Sequence, residues 1–306
     1  RLGLSEEQFD QLALDLDVIY HNGAILNFAY SYEVMRDANV LGTHEVLRLA
    51  MQQRLKPVHY VSTIAVQGSV KRNAWEVVNE SDPLPAFSSL KDAYSQTKWM
   101  SEKVIADARK RGLPVAIYRP GGVTGDSRTG KSNTGDMMHV MVLGCLHLGT
   151  IPSLDVELNL APVDYIAGAL VQLSLQPESF GQTFHLVNPE PLKIDSLVDF
   201  VKQTEVPVQR MPAEDWRDQV TARMEALPSD VFGLLTKAFM PDMLEGESAD
   251  AVPAVLKLRY DCAHTTKGLA GSQIECPPMD SHLMRRYFQH LQESGLVSTA
   301  GDTTES

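Results

Sequence analysis

The chain has no run of about eighteen apolar residues, the least that reads as a membrane-spanning helix. Its most apolar segment, Met137 to Leu148, covers 12 residues and holds two histidines, so no membrane span is expected. Helical core packing is the plainer reading of that segment; its methionines lining a pocket for an extended substrate is the other. Cysteine is scarce. Cys145, Cys262 and Cys276 are odd in number and widely spaced, which excludes a disulfide framework and fits reduced thiols in a cytosolic protein. Cys262, His264 and Cys276 lack a fourth ligand and paired spacing, so no metal is expected. Basic residues are few: 27 Lys and Arg face 39 Asp and Glu, a net charge of -12 with no long basic run, which argues against nucleic acid as the main ligand. No internal repeat and nothing like a signal peptide at Arg1 appears, so the acceptor-like Asn79-Glu80-Ser81 is read as accidental.

What is there points to a soluble acidic enzyme. A chain of 306 residues can bury a large core, as one core with an elaboration. Tyr94 and Lys98 stand four residues apart in Tyr94-Ser95-Gln96-Thr97-Lys98, on one face of a helix. An ammonium near a phenol stabilises the phenolate and brings a pKa of about 10 toward working pH, making the tyrosine a proton donor to a carbonyl. The spacing alone is frequent on amphipathic helices, so its surroundings decide.

Those surroundings alternate strand and helix. Ser5 and Gln8 form a capping box that opens a helix, and Val18-Ile19-Tyr20 reads as a short buried strand leading to His21-Asn22-Gly23-Ala24. Tyr32 to about Gln53 is helical, broken near Gly42. Val58 to Ser62 is a strand ending in the hydroxyls of Ser62 and Thr63, at the edge where open α/β sheets bind ligands. The Tyr94 helix stops at Gly112-Leu113-Pro114, and Val115 to Tyr118 leads into Arg119-Pro120-Gly121-Gly122-Val123. A helix from Val163 to about Leu175 and a last strand, Thr183 to Val187, follow. Such alternation implies a parallel sheet with crossover helices. Beyond Glu190 the chain is expected to be mostly helical, with Ser196 to Gln203, Glu214 to Ala226, Pro228 to Ala238 and His282 to Ser294 as candidates.

Thr63, Tyr94, Lys98 and the Arg119 to Val123 loop, in this order and spacing, resemble the extended short-chain dehydrogenase/reductase family. His21-Asn22-Gly23-Ala24, Asn39-Val40-Leu41-Gly42-Thr43, Asn159 to Asp164, Ile274-Glu275-Cys276-Pro277-Pro278 and Ser294-Gly295-Leu296 narrow it. They resemble the thioester reductase domains that end nonribosomal peptide and polyketide synthases, and the related carboxylic acid reductases. The resemblance covers nearly the whole chain. It implies an α/β, Rossmann-like, doubly wound parallel sheet: residues 1–128 and about 156–189 as a partial NADP-binding core, 129–155 and 190–298 as a mostly helical substrate region, and 299–306 as a disordered tail.

That family opens with a Thr-Gly-x-x-Gly-x-x-Gly turn holding the NADPH pyrophosphate, and the turn does not occur here. The chain is therefore expected to be a fragment lacking roughly its first hundred residues. The resemblance implies that Tyr94 donates the proton, that Lys98 lowers the tyrosine pKa and binds the nicotinamide ribose, and that Thr63 holds the carbonyl oxygen. Ser62 is the neighbouring alternative, and strand alternation turns only one of the two toward the substrate; Thr63 is preferred. Gly23, Ala24 and Ile25 are expected near the cofactor, and Pro120, Gly121 and Val123 around the nicotinamide; the plainer reading is that both are tight turns. Asn39 is expected to tie backbone together. The implied reaction is NADPH-dependent release of an acyl or peptidyl thioester, carried on the phosphopantetheine of a carrier protein, as an aldehyde, with a second reduction to the alcohol left open. Arg210, Arg217 and Arg223 are candidate contacts for the carrier's acidic helices. A fatty acyl-coenzyme A reductase, a nucleotide-sugar epimerase or dehydratase, and a non-catalytic scaffold module stay open as alternatives.

Overall fold

The computed structural model describes residues 1–27, 30–68, 76–133, 137–153, 156–194, 196, 208–223 and 258–295. The expected helix at 196–203 beyond its first residue, the one at 228–238 and the tail at 299–306 lie outside the described residues, as does Leu296. Two compact units divide the chain. The first comprises Arg1–Gly121, Gly168–Leu186 and Leu258–Ile274, the second Gly122–Ala167, Val187–Lys257 and Glu275–Ser306.

The first unit is built on the parallel sheet that the alternating pattern implies. Its strands run in the order Ile19–His21, Val58–Val61, Val115–Pro120 and Thr183–Leu186. The second, third and fourth strands are buried on both faces, so their apolar residues are not confined to alternate positions. Val58, Tyr60, Val115 and Ile117 face one way and close a core with Leu47 and Ala50 of the Gly42–Met51 helix and Ile105 and Ala108 of the Ala93–Lys110 helix. The opposite face is aromatic. Tyr20 stacks on His59, Tyr118 stacks on Phe184, and the Tyr20 hydroxyl lies 2.8 Å from Ser174 Oγ, at the end of the Val163–Ser174 helix.

The capping box at Ser5 and Gln8 opens the Glu6–Asp15 helix as expected. The break expected near Gly42 takes a different form. Tyr32–Arg36 and Gly42–Met51 are joined without interruption by a widened π turn, Asp37–Leu41, in which the Gly42 N–H reaches back to the Asp37 carbonyl. The cause is local. Thr43 Oγ1 donates to the Asn39 carbonyl at 2.6 Å and Ser101 Oγ at 2.8 Å, so side-chain hydroxyls satisfy an acceptor of the helical ladder.

The second unit carries short strand pairs. Gly122–Thr124 runs parallel to Leu160–Pro162, Thr150–Ser153 parallel to Gln209–Pro212, and Glu157–Leu158 antiparallel to Leu192–Lys193. Among the described residues beyond Glu190, the helices Ala213–Ala222, Ala263–Leu269 and Ser281–Glu293 outweigh the strands, as expected; the strands, including Arg259–Tyr260 on Val77–Val78 in the first unit, are too short and polar to show a period. In the apolar Met137–Leu148 helix, Val142, Leu143, Cys145 and Leu148 are buried, while the methionine side chains lie outside the described residues. Helix Ala213–Ala222 begins one residue before and ends four before the expected bounds. Helix Ser281–Glu293, capped by Asp280, seats Tyr287 with its hydroxyl on the Gly125 carbonyl at 2.8 Å. Only glycine fits at 125 and 130, since a Cβ would stand 2.9 Å from the Tyr287 ring and 2.6 Å from the Arg286 carbonyl respectively.

Candidate active site

The Ala93–Lys110 helix starts at an Asp92 cap whose carboxylate accepts from the Ser95 N–H at 2.7 Å. Tyr94 and Lys98 follow on one face, one turn apart. Lys98 is 3% exposed, donates from Nζ to the Val61 carbonyl at 2.6 Å and lies 4.4 Å over the Tyr60 ring. That bond ties the Tyr94 face of the helix to the carboxyl end of a sheet strand, two residues before Thr63. Burial pulls the ammonium down to about 8, against an opposing pull from Glu102.

Tyr94 behaves otherwise than its neighbour's charge alone predicts. Its phenol is pushed up to about 12, by burial first and the Asp92 carboxylate second. The tyrosine thus holds its proton throughout the neutral range. It is a loaded donor rather than a standing phenolate.

The two adjacent hydroxyls separate cleanly. Ser62 is buried and its Oγ donates to Glu102 Oε2 at 2.5 Å. Thr63 is half-buried, and its Oγ1 accepts only the Ala65 N–H among the bonds described, at 3.2 Å, as the cap of the short Ile64–Gln67 turn. Thr63 is therefore the hydroxyl of the pair that keeps an O–H to offer at this strand end.

Gly23, Ala24 and Ile25 form an exposed loop leaving the first sheet strand. Asn39 clamps it: Oδ1 accepts from the Ile25 N–H at 2.7 Å, and Nδ2 donates to the Ile25 carbonyl and to Thr97 Oγ1, each at 3.0 Å. One amide thus fastens the loop to the Tyr94 helix between Tyr94 and Lys98, which gives the expected backbone tie a definite place. His21 lies at the base of the loop with Nε2 2.8 Å from Thr43 Oγ1. Because that hydroxyl donates to Asn39, the tautomer satisfying both bonds has its proton on Nε2. Burial, then Lys98, lowers His21 to about 4.

Pro120 is buried at the end of its strand, and the Gly121 N–H extends the ladder to the Leu186 carbonyl at 3.1 Å. Val123 belongs to the second unit, in Gly122–Thr124, and is 38% exposed. The residues that sequence reasoning missed are charged ones buried behind the site. Glu102, one turn beyond Lys98, takes a forked bond from Arg119, with Oε1 3.1 Å from Nε and 2.5 Å from the terminal Nη2. Arg119 also donates to His185 Nε2 at 3.3 Å, while His185 Nδ1 meets the Asp261 carbonyl at 2.8 Å. The signal for Glu102 was its spacing of four from Lys98; its arginine partner lies on the next strand, which no local pattern reveals.

Comparison with known proteins places the chain in a family. The family model described as "Male sterility protein" matches residues 1–170. A linear gramicidin synthase of Brevibacillus parabrevis is 35% identical over 99% of this chain, which spans 6% of that protein. An isonitrile lipopeptide synthase of Streptomyces coeruleorubidus is 33% identical over 97% of the chain, here 20% of the relative. Among solved structures, the terminal R domain from the myxalamid PKS-NRPS biosynthetic pathway superposes with a TM-score of 0.88 at 40% identity, covering 97% of this chain and 73% of that one. A thiolation-reductase di-domain from an archaeal non-ribosomal peptide synthetase shares the fold, with a TM-score of 0.76 at 18% identity over 95% of this chain and 60% of that one.

Proposed function

Because the chain belongs to the male sterility protein family and is a nicotinamide-dependent reductase domain of the extended short-chain dehydrogenase/reductase group, we propose that it releases a carrier-bound acyl or peptidyl thioester as an aldehyde, with NADPH as reductant. The observation that carries this reading is the bond from Lys98 to the Val61 carbonyl, which brings the Tyr94 face of the helix to the strand end that bears Thr63. That bond supports a site with a proton donor, a cation and a hydroxyl, the set a carbonyl needs when it gains negative charge on oxygen.

The residues present fit the nicotinamide end of a dinucleotide. The Gly23–Ala24–Ile25 backbone is exposed and fastened at Ile25 by Asn39, and Lys98 has donors beyond its bond to Val61. Gly23, Ala24, Ile25 and Lys98 would hold the ribose and nicotinamide, with Pro120 and Gly121 beside the ring. The bound cofactor supplies a hydride to the thioester carbon. Thr63 hydrogen-bonds the carbonyl oxygen, and Tyr94 gives that oxygen its phenolic proton as the carbon is reduced. The tetrahedral hemithioacetal then loses thiol, and the carbonyl that re-forms is the aldehyde. Lys98 stabilises the phenolate left on Tyr94 until a solvent proton restores it.

The thiol expelled belongs to the phosphopantetheine arm of a carrier protein, and the reaction takes place in the cytoplasm. Exposed Arg210 donates to Ser153 Oγ at 3.0 Å and exposed Arg223 to the Leu148 carbonyl at 3.4 Å; with Arg217, whose side chain lies outside the described residues, they are the basic groups offered to the carrier. The test is to add NADPH or NADH with a model acyl thioester to the intact protein and identify products. NADPH-dependent aldehyde formation is expected; nucleotide-sugar turnover without thioester reduction overturns the reading. Charge reversal at the three arginines is expected to weaken reduction of a carrier-bound thioester but not of a small soluble one, and equal rates on both remove the arginines from the account.

A further inference from the structure

Tyr94, Lys98 and Glu102 follow one another at spacings of four on the inner face of a single helix, and Lys98 and Glu102 are 3% and 2% exposed. A carboxylate that deep is costly unless it is paired and hydrogen-bonded. Glu102 is both: Ser62 Oγ holds Oε2 at 2.5 Å, and the Arg119 fork holds Oε1 at 3.1 and 2.5 Å. The carboxylate is fixed by Ser62, just past the second strand, and by Arg119 of the third, on a residue one helical turn beyond Lys98.

The charged and titratable groups facing this pair can be counted off by element. His21 comes from the first strand, Tyr60 from the second, Tyr94 and Arg109 from the same helix, Arg119 from the third strand and His185 from the fourth. His21 and His185 are both pulled down to about 4 and are neutral at physiological pH. The tyrosines are pushed up and also neutral. Lys98 and Arg119 are then the buried cations of the group, and Glu102 is the anion that faces both.

We propose that Glu102 is a positioning residue that acts through Lys98, as the buried counter-anion keeping the amine in its ammonium form on the Tyr94 face of the helix, with Ser62 and Arg119 locking the carboxylate in place. The proposal rests on the reductase reading for its purpose, since a neutral amine could not stabilise the tyrosinate. It does not rest on that reading for its test.

The measurement is competitive trace acetylation of the intact protein across a range of about pH 6 to 11, with Lys98 read by peptide mass spectrometry against exposed Lys91 and Lys110 as internal references. Glu102→Gln removes the anion that raises the amine and is expected to lower the Lys98 midpoint by about one pH unit or more. Arg119→Gln removes the competing cation and is expected to raise it. Glu102→Asp, which keeps the charge, is expected to return it toward the wild-type value. In the same proteins the alkaline limb of thioester reduction moves with the midpoint. Shifts of opposite sign are a signature that loosened packing does not produce, because loosening moves both variants the same way. If either glutamine variant fails to fold, the other decides by its sign. Midpoints that stay fixed, or that move together, overturn the proposal. A wild-type protein that reduces no thioester removes the reductase reading alone, since acetylation requires no turnover.

Discussion

The two halves of the Ala93–Lys110 helix bury their inner faces equally and fill them differently. Thr97, Lys98 and Ser101 are 0%, 3% and 0% exposed, and Ile105 and Ala108 further along are 0% and 8%. In the second half, burial is its own reward, about 1.5–3 kcal/mol for a side chain of the size of Ile105 taken out of water. In the first half each polar group needs a partner, and each has one: Lys98 on the Val61 carbonyl, Thr97 on the Tyr94 carbonyl, and Ser101 on the carbonyls of Thr97 and Asn39. Depth alone therefore does not mark the site. The density of satisfied polar groups in a place where apolar ones would pack as well is what marks it.

If the halves are divided in this way, substitutions should separate activity from stability. Tyr94→Phe is expected to cut thioester reduction by about 10²–10⁴-fold while cofactor affinity and melting temperature hold, read by steady-state kinetics and a nicotinamide titration. Thr63→Ala, which removes one donor to the developing oxyanion, is expected to lose about 10²–10³-fold in kcat with little change in Tm. From the other half, Ile105→Ala should cost about 2–5 kcal/mol in denaturant unfolding, and the fraction still folded should turn over normally. A stable Ile105→Ala or an unstable Tyr94→Phe would break the comparison.

Smaller effects sharpen it. Lys98, lowered to about 8, is an ammonium below that pH and loses its charge as pH rises through it, so kcat should fall about tenfold per unit on the alkaline side with a midpoint near 8. The Tyr94 proton, held to about 12, would be lost only much later. A limb near 12 and none near 8 would assign the charge dependence to the tyrosine instead. Asn39→Ala frees the Ile25 loop and leaves its backbone groups to water, and is expected to raise the cofactor KM about tenfold, worth about 1.4 kcal/mol, with kcat changing less.

Much of this was legible in the sequence for a physical reason. The four parallel strands are apolar runs with helices between them, and the Ser5 cap, the Gly112 stop and the Tyr94 spacing are local patterns with local causes. The π turn was visible only as a weakness near Gly42, because the hydroxyl that widens it from outside, Ser101, stands 62 residues away. The pairs of two to four residues around the second unit carry no period to read. The direction of the Tyr94 shift was also beyond reach, since the spacing shows the ammonium but not the burial that raises the phenol. The same applies to Glu102: its turn of the helix was countable, while its fork from Arg119 and bond from Ser62 come from neighbouring strands of the folded sheet.

The most direct test of the central claim is isotopic. The intact protein is given an acyl thioester and NADPH deuterated at the transferable position, and the product is analysed by mass spectrometry for wild type and Tyr94→Phe. The account predicts an aldehyde with one deuterium on the carbonyl carbon and one free thiol per cofactor consumed, with formation suppressed in Tyr94→Phe although the cofactor still binds. Cofactor binding without deuterium transfer, or equal transfer in both proteins, would contradict it.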